Sequence, residues 1–263
     1  MPYIFTANSG RCGSLYLACL LEHLTGIPSR HEPVPWMIGQ TLKELNDGNA
    51  SRETLFVLDQ KIAQIRRDAS RLGYIETNQQ FIKCYADRVL DEFEDVYCIY
   101  LYRNPLDVII SYGEKLVGLP LDWFLQPHWE RNAWRSEQPM RSYYDIVLYN
   151  WYEVRERYFR YKPKFTKTYE LSFEDLNNLP EIYRMLRHFN VAYKVPTDME
   201  SLPQNSLVKS LTQGQQKTRD EIISDMRRNW HVEGTEWRFP SDYIQLQHAQ
   251  LQVERMQGIG TNQ

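Results

Sequence analysis

The stretch Tyr3-Ile4-Phe5-Thr6-Ala7-Asn8-Ser9-Gly10-Arg11-Cys12-Gly13-Ser14-Leu15-Tyr16-Leu17 decides the fold. Its first six residues are β-favouring types that stop at Ser9-Gly10. From there Leu17, Leu20, Leu21 and Leu24 recur at helical spacing, so the stretch reads strand, turn, helix. Small residues at such a turn let successive backbone N–H groups converge on one point, and the helix N-terminus adds positive potential. The turn is therefore suited to an anion, with Arg11 supplying formal charge. No Lys precedes Ser14 and apolar Leu15 follows it, which sets the turn apart from the Gly-x-x-x-x-Gly-Lys-Ser/Thr cradle of Mg²⁺-nucleotide enzymes. An ordinary tight strand-to-helix turn is the plain alternative.

Outward from this turn, Gly26-Ile27-Pro28 ends the first helix, and Pro33 and Pro35 make Ser29 to Trp36 an extended loop. Leu55, Leu58, Ile62, Ile65, Ala69 and Leu72 predict an amphipathic helix over about 51–72, closed by Gly73. Tyr74 to Thr77 and Phe81-Ile82 are short strand candidates, and a helix is expected near Ala86 to Phe93. Val96 to Tyr102 is continuously apolar, as in a central parallel strand covered on both faces. Pro105 suits the first turn of a helix reaching about Leu116. Residues 117–138 carry Trp123, Phe124, Trp129 and Trp134 and read as a structured insertion. A helix over about Met140 to Tyr161, a strand at Thr166 to Leu171 and a helix over Pro180 to Phe189 follow. The C-terminal region, residues 194–263, gives helix candidates at Thr218 to Trp230 and Ser241 to Met256 and no strand. Strands alternating with helices predict a three-layer α/β fold with a central parallel sheet, one domain over 1–263 with a helical cap.

The 263 residues are 42% hydrophobic, ample for a core, and Lys+Arg 31 against Asp+Glu 34 gives a net charge of −3. No bulk field recruits nucleic acid or an anionic membrane. The basic run Arg155, Arg157, Arg160, Lys162, Lys164 and Lys167, interleaved with Tyr152, Tyr158, Phe159 and Tyr161, reads as a solvated helix face broken by Glu153 and Glu156. No segment approaches the roughly 18 apolar residues of a bilayer span, and the four cysteines have neither zinc spacing nor a disulfide framework. A soluble protein of a reducing cytoplasm, with no metal, is expected. Aromatics at 13% exceed what the core needs, and some are expected to line a ligand cleft.

The second constellation is Arg103-Asn104-Pro105-Leu106-Asp107-Val108-Ile109-Ile110-Ser111. Arg103 ends the central strand, and Ser111 lies nearly two turns into the next helix. An Arg folded back along that helix can share one anion with the Ser hydroxyl. Taken singly, each residue reads equally as a surface side chain. Strand ends of a parallel sheet meet at one edge, so two anion pockets there define a ligand with two separate phosphates.

The two motifs together resemble those of the PAPS-dependent sulfotransferases. In that family the first loop reads Pro-Lys/Arg-Ser-Gly-Thr-Thr and then an aromatic, and the second reads Arg-x-Pro-x-Asp with a Ser eight residues after the Arg. The segment Lys167 to Leu176 is similar to the family's late strand and its Tyr-Glu-Asp-Leu-like continuation, so roughly residues 1–190 can be laid on it. The resemblance implies a sulfotransferase fold and a donor site of Gly10, Arg11, Cys12, Gly13, Ser14 and Leu15 on the 5′-phosphosulfate. Arg103 and Ser111 then take the 3′-phosphate, with Tyr16 near the adenine. Gly10, Cys12 and Leu15 replace the family's Pro, Ser and second Thr. The C-terminal phosphate-contacting loop of the cytosolic branch is not recognisable; Lys209, Lys217 and Arg219 are weak substitutes.

Sulfuryl transfer needs a group that takes the acceptor's proton, which contributes about 10²–10⁴-fold. The sequence offers Glu32, His31 and Glu76. Glu32 resembles by spacing the catalytic Glu of the tyrosylprotein branch, and prolines beside it stiffen the loop. Neighbours in an extended segment point to opposite sides, so only one of His31 and Glu32 faces the cleft. Glu76 is expected to bind substrate or to form a structural ion pair. Trp36, Trp123, Phe124 and Trp129 are candidate walls for a small flat or cationic acceptor, and a guanidinium alkaloid of saxitoxin type is admissible. A P-loop nucleotide kinase and a non-catalytic nucleotide-binding protein of the same fold are the rival readings.

Overall fold

The structure, a computed structural model, describes residues 1–116 and 143–196, without the side chains of 113–116 and 143–145. All of them belong to one compact unit. The 117–138 insertion with Trp123, Phe124 and Trp129, the cap, and the C-terminal helix candidates lie outside the described residues, as does the test of a single domain over 1–263.

Strand β1 (Tyr3–Ala7) runs through the anion turn into α1 (Ser14–Thr25), whose Leu17, Leu20, Leu21 and Leu24 are fully buried. Gly26 ends α1 in the left-handed region, its N–H bonded to Glu22 O at 2.8 Å. After β2 (Ser29–His31) come α2 (Gln40–Asn46), α3 (Arg52–Asp68) and β3 (Tyr74–Thr77). A π-helical turn over Phe81–Tyr85 passes into α4 (Ala86–Glu92). Then follow β4 (Val96–Tyr102), α5 (Pro105–Leu116), α6 (Tyr143–Tyr161), β5 (Lys167–Ser172) and α7 (Leu179–His188).

The protein is α/β: the five described strands form one sheet in the order β2-β3-β1-β4-β5, every pairing parallel, with helices flanking it. β4 is buried from Val96 to Leu101, which is why it is apolar on both faces. Beneath the sheet Phe5 stacks on Phe81 at 4.4 Å between ring centroids, and Tyr100 on Tyr158 at 4.5 Å. From β1 the chain goes to one side of the sheet, and from β4 to the other. Ligands of open parallel sheets bind outside the carboxyl ends of the strands at such a reversal.

Four sequence expectations change. Ser29 to His31 is not loop but a short edge strand registered on Ile75, Glu76 and Thr77; the prolines begin only at Pro33. Phe81-Ile82 is not a strand, because the Asn78 side chain accepts the Gln80 N–H at 2.9 Å and turns the chain there. The 51–72 helix stops at Asp68, since Ala69 is extended, and Leu55 and Leu72 are exposed. Its buried face instead includes Lys61 and Gln64. Helix α2 was not anticipated. Among the described residues no helix is long and apolar enough to cross a membrane.

Candidate functional site

The anion turn is shaped by three left-handed residues, Gly10 (φ 78°), Arg11 (φ 55°) and Gly13 (φ 80°). The Asn8 carbonyl oxygen Oδ1 accepts the Gly10 N–H at 3.0 Å, and Asn8 Nδ2 donates to Thr6 Oγ1 at 2.8 Å, fixing the exit from β1. Behind the turn, Ser9 O accepts from Tyr112 Oη at 3.2 Å and from Asn150 Nδ2 at 2.8 Å. A Cβ on Gly10 would lie 2.4 Å from Tyr112 Oη, on a rigid ring, so Gly10 is required for close approach as well as for φ. At Gly13 the φ of 80° is the stronger demand, and the Leu176 Cδ1 that would lie 2.4 Å from a Cβ there could shift. Gly13 caps α1 with no side chain, and the first-turn N–H groups from Ser14 onward have no partner within the helix. The Cys12 thiol points inward, donating to Gly10 O at 3.1 Å, and burial pushes its pKa up; any contact it makes with an anion is through its backbone. Leu15 is exposed and Tyr16 half-buried.

The two sequence motifs meet. Arg103 Nη1 donates to Arg11 O at 3.0 Å, and Arg11 Nε donates to Ser111 Oγ at 3.1 Å. The expected pair of pockets, one under Arg11 and one between Arg103 and Ser111, is a single contiguous cluster in which Arg11 takes the Ser111 hydroxyl. Arg103 lies over the Phe173 ring at 4.1 Å, and its backbone oxygen accepts from Trp151 Nε1 at 3.0 Å. Burial pulls its pKa below the usual guanidinium value, with Asp107 opposing. Arg103 Nε is buried without a hydrogen-bond partner, which costs free energy unless a ligand supplies one.

On the other side of β1, the chain leaves β2 at Glu32 in the left-handed region (φ 44°), uncommon for a residue with a side chain. Its N–H bonds Thr77 O at 3.1 Å, while His31 Nδ1 sits 3.0 Å from Thr77 Oγ1. The alternation assumed for His31 and Glu32 needs extended backbone and does not apply at this bend. Glu32 Oε1 accepts from Gln79 Nε2 at 2.9 Å, and the exposed Trp36 donates from Nε1 to Glu32 O at 3.1 Å. Gln79 Oε1 lies 3.2 Å from where a Gly10 Cβ would be, so Gln79 spans from Glu32 to the anion turn. Gln79 and Gln80 are each 3% exposed, and Gln79 Oε1 and both ends of the Gln80 amide have no partner. Sequence reasoning missed both. The available signal was their place directly after β3, where parallel strand ends meet.

Glu76 belongs to the interior. It is 0% exposed and paired with Lys61 Nζ at 2.8 Å, Lys61 being 0% exposed too. Its carboxylate also accepts from Tyr74 Oη at 2.7 Å, Asn78 Nδ2 at 2.9 Å and Tyr85 Oη. With Lys61, Tyr74, Asn78 and Tyr85 all on its two oxygens the carboxylate is already filled from inside, which corrects the substrate-binding expectation in favour of the ion pair. The basic run is likewise paired with acids, Arg157 with Glu153, Arg155 with Glu156, Lys162 with Glu170 and Lys164 with Asp87.

No family model matches the chain, and no curated protein matches it. Among solved structures, it is similar to the sulfotransferase domain of the Synechococcus PCC 7002 olefin synthase, with 16% identity, 95% of this chain and 94% of that one covered, and a TM-score of 0.47. It is also similar to a sulfotransferase from Alicyclobacillus acidocaldarius, with 15% identity, 89% and 98% covered, and a TM-score of 0.45.

Proposed function

We propose that the chain is a sulfotransferase that moves a sulfuryl group from PAPS to a hydroxyl or amine of a small acceptor. The observation that carries this reading is the contact between the two cationic motifs, Arg103 Nη1 on Arg11 O at 3.0 Å, at the carboxyl edge of the sheet. The residues fit a doubly phosphorylated nucleotide: a turn held left-handed at Gly10 and Gly13, two guanidinium groups, and a buried Arg103 Nε in want of an acceptor.

When bound, PAPS supplies an activated sulfuryl group whose departure leaves negative charge on a phosphate. Arg11 and the first-turn amides of α1 would hold that phosphate, stabilising charge as it develops. Arg103, with Ser111 orienting Arg11, would hold the 3′-phosphate. Glu32 takes the acceptor's proton, oriented by Gln79. The guanidinium groups supply the neutralisation that a divalent cation gives a kinase, so added Mg²⁺ leaves the rate unchanged in this reading. The exposed indole of Trp36 beside Glu32 suits a flat or cationic acceptor, including a guanidinium alkaloid of saxitoxin type. A reducing, cytoplasmic setting accords with four free cysteines.

Isothermal titration with adenosine 3′,5′-bisphosphate, together with labelled-sulfate transfer to an acceptor panel, tests the reading. Arg11→Ala should lower turnover strongly and Ser111→Ala should weaken nucleotide binding. Glu32→Gln should keep binding and lower transfer by about 10²–10⁴-fold. Binding by the wild type with no transfer to any acceptor would favour a non-catalytic binding protein, and no binding would remove the reading altogether.

A further inference from the structure

We propose that Gln79 reads the acceptor's nucleophile and that this nucleophile is a nitrogen carrying two hydrogens. The inference rests on the proposed sulfuryl transfer with Glu32 as proton acceptor. Gln79 is 3% exposed, and its two amide atoms are in opposite situations. Nε2 is committed to Glu32 Oε1 at 2.9 Å, whereas Oε1 has no partner and lies against Gly10 of the anion turn.

The amide cannot be turned round, because that would set its oxygen against a carboxylate, two acceptors facing each other. Its backbone is pinned on both sides. Asn78 donates to Glu76 Oε1 at 2.9 Å and accepts from the Gln80 N–H at 2.9 Å. The Glu32 side is held by its N–H on Thr77 O at 3.1 Å and by Lys61 Nζ on Pro33 O at 3.3 Å. What the pair offers a ligand is therefore a carboxylate and, next to it, an amide oxygen that only accepts.

A nucleophile between them needs two hydrogens. A hydroxyl has one, which goes to Glu32 and leaves Gln79 Oε1 unpaired in a buried place. An uncharged NH₂ satisfies both. In the transfer, the nitrogen lone pair forms the N–S bond as the S–O bond to the phosphate breaks, and that bond's electron pair leaves with the bisphosphate. One N–H proton passes to Glu32, and the other stays on nitrogen, hydrogen-bonded to Gln79 Oε1. One such hydrogen bond is worth roughly tenfold in rate.

The test uses probes with one uncharged NH₂ and one hydroxyl on the same small scaffold, 2-(4-aminophenyl)ethanol and 3-aminophenol, with PAPS and the intact chain. Liquid chromatography against authentic N- and O-sulfated standards, with mass detection, reads the ratio of the two isomeric products. Wild type should give mainly the N-product, and Gln79→Leu should lower the ratio about tenfold. A loss of Glu32 positioning slows the hydroxyl, which needs the base in order to attack, at least as much as the amine, so it cannot by itself lower the ratio. Unchanged bisphosphate affinity shows that the variant's anion turn is intact. Should Gln79→Leu fail to fold, Gln79→Asn, one methylene shorter, should show the same drop. An unchanged ratio, or mainly O-product from wild type, overturns the inference and leaves the sulfotransferase reading standing. Neither product from any probe, with bisphosphate still bound, counts against the transfer itself and takes the inference with it.

Discussion

Removing the charge of Lys61 should cost far more than removing the Lys61–Glu76 pair. Both side chains are 0% exposed and 2.8 Å apart. Lys61 Nζ also donates to Gln64 Oε1 at 2.9 Å and Pro33 O at 3.3 Å, and Glu76 collects Tyr74, Tyr85 and Asn78 as further donors. Lys61→Met leaves a buried carboxylate without its cation, a loss of about 3–5 kcal/mol. With a urea m-value of about 2–3 kcal/mol/M, the midpoint falls by about 1–2.5 M. Adding Glu76→Gln removes the charge but keeps a carbonyl oxygen for the tyrosine and asparagine donors, so the double variant should regain about 1–3 kcal/mol over the single one. Burial disfavours the charged lysine and draws its pKa below the usual 10.5, against the pull of Glu76. Between that lowered value and 10.5 the unfolded chain binds more protons than the native one. The lysine's contribution to stability therefore rises with pH across that window, and the rise is absent in Lys61→Met. A single variant within about 1 kcal/mol of wild type, or a double variant no more stable than the single, would refute the reasoning.

Gly10→Ala should abolish most bisphosphate binding and destabilise by about 1–3 kcal/mol, because its Cβ meets Tyr112 Oη at 2.4 Å and φ is 78°. Tyr112→Phe in the same chain should restore part of the stability, read by urea unfolding. Hydrogen bonds from Ser51 and Gln40 hold the Glu44 carboxyl down to about 2 from 4.5. Its stabilisation is present above pH 4.5 and is lost as pH falls toward 2, so the unfolding midpoint of Glu44→Gln should fall less steeply over that range. A thiol reagent at neutral pH should titrate only Cys19 rapidly in the native protein and all four thiols in urea. Cys12 and Cys98 are buried, and burial pushes the Cys84 thiol up to about 12. Rapid labelling of Cys12 would mean that the anion turn is not closed behind its glycines.

The parallel sheet was legible because its signals are local. β1 stops at two small residues, and β4 is apolar without alternation, which only a strand covered on both faces sustains. β2 was not legible, since Ser29-Arg30-His31 has no pattern of its own and is a strand through pairing with Ile75 to Thr77. Phe81-Ile82 is too short to show a period, and one Asn78 side chain decides its direction. Lys61 and Gln64 add nothing to the apolar stripe of α3, because what draws them inside lies on β3: Glu76 for Lys61 and the Tyr74 hydroxyl for Gln64. Within the site, the meeting of Arg11 and Arg103 followed from strand ends converging. The left-handed bend at Glu32 and the unpaired Gln79 Oε1 and Gln80 amide did not, because both are set by tertiary contacts across β1, β2 and β3.

Each strand of the sheet delivers one chemical type to its carboxyl end. Glu32 follows β2, the Gln79-Gln80 amides follow β3, the glycine turn with Arg11 follows β1, Arg103 follows β4, and Phe173, the ring under Arg103, follows β5. Across the edge the side chains thus pass from carboxylate through neutral amide to guanidinium. In the proposed transfer a polyanion lies over β1 and β4 and meets a proton donor over β2 and β3, so each step of that order has a use. The neutral amide is what makes the gradient workable. Gln79 gives its Nε2 to Glu32 Oε1 at 2.9 Å and sets its Oε1 against Gly10, so in the proposed transfer one uncharged side chain touches both the proton acceptor and the turn that holds phosphate.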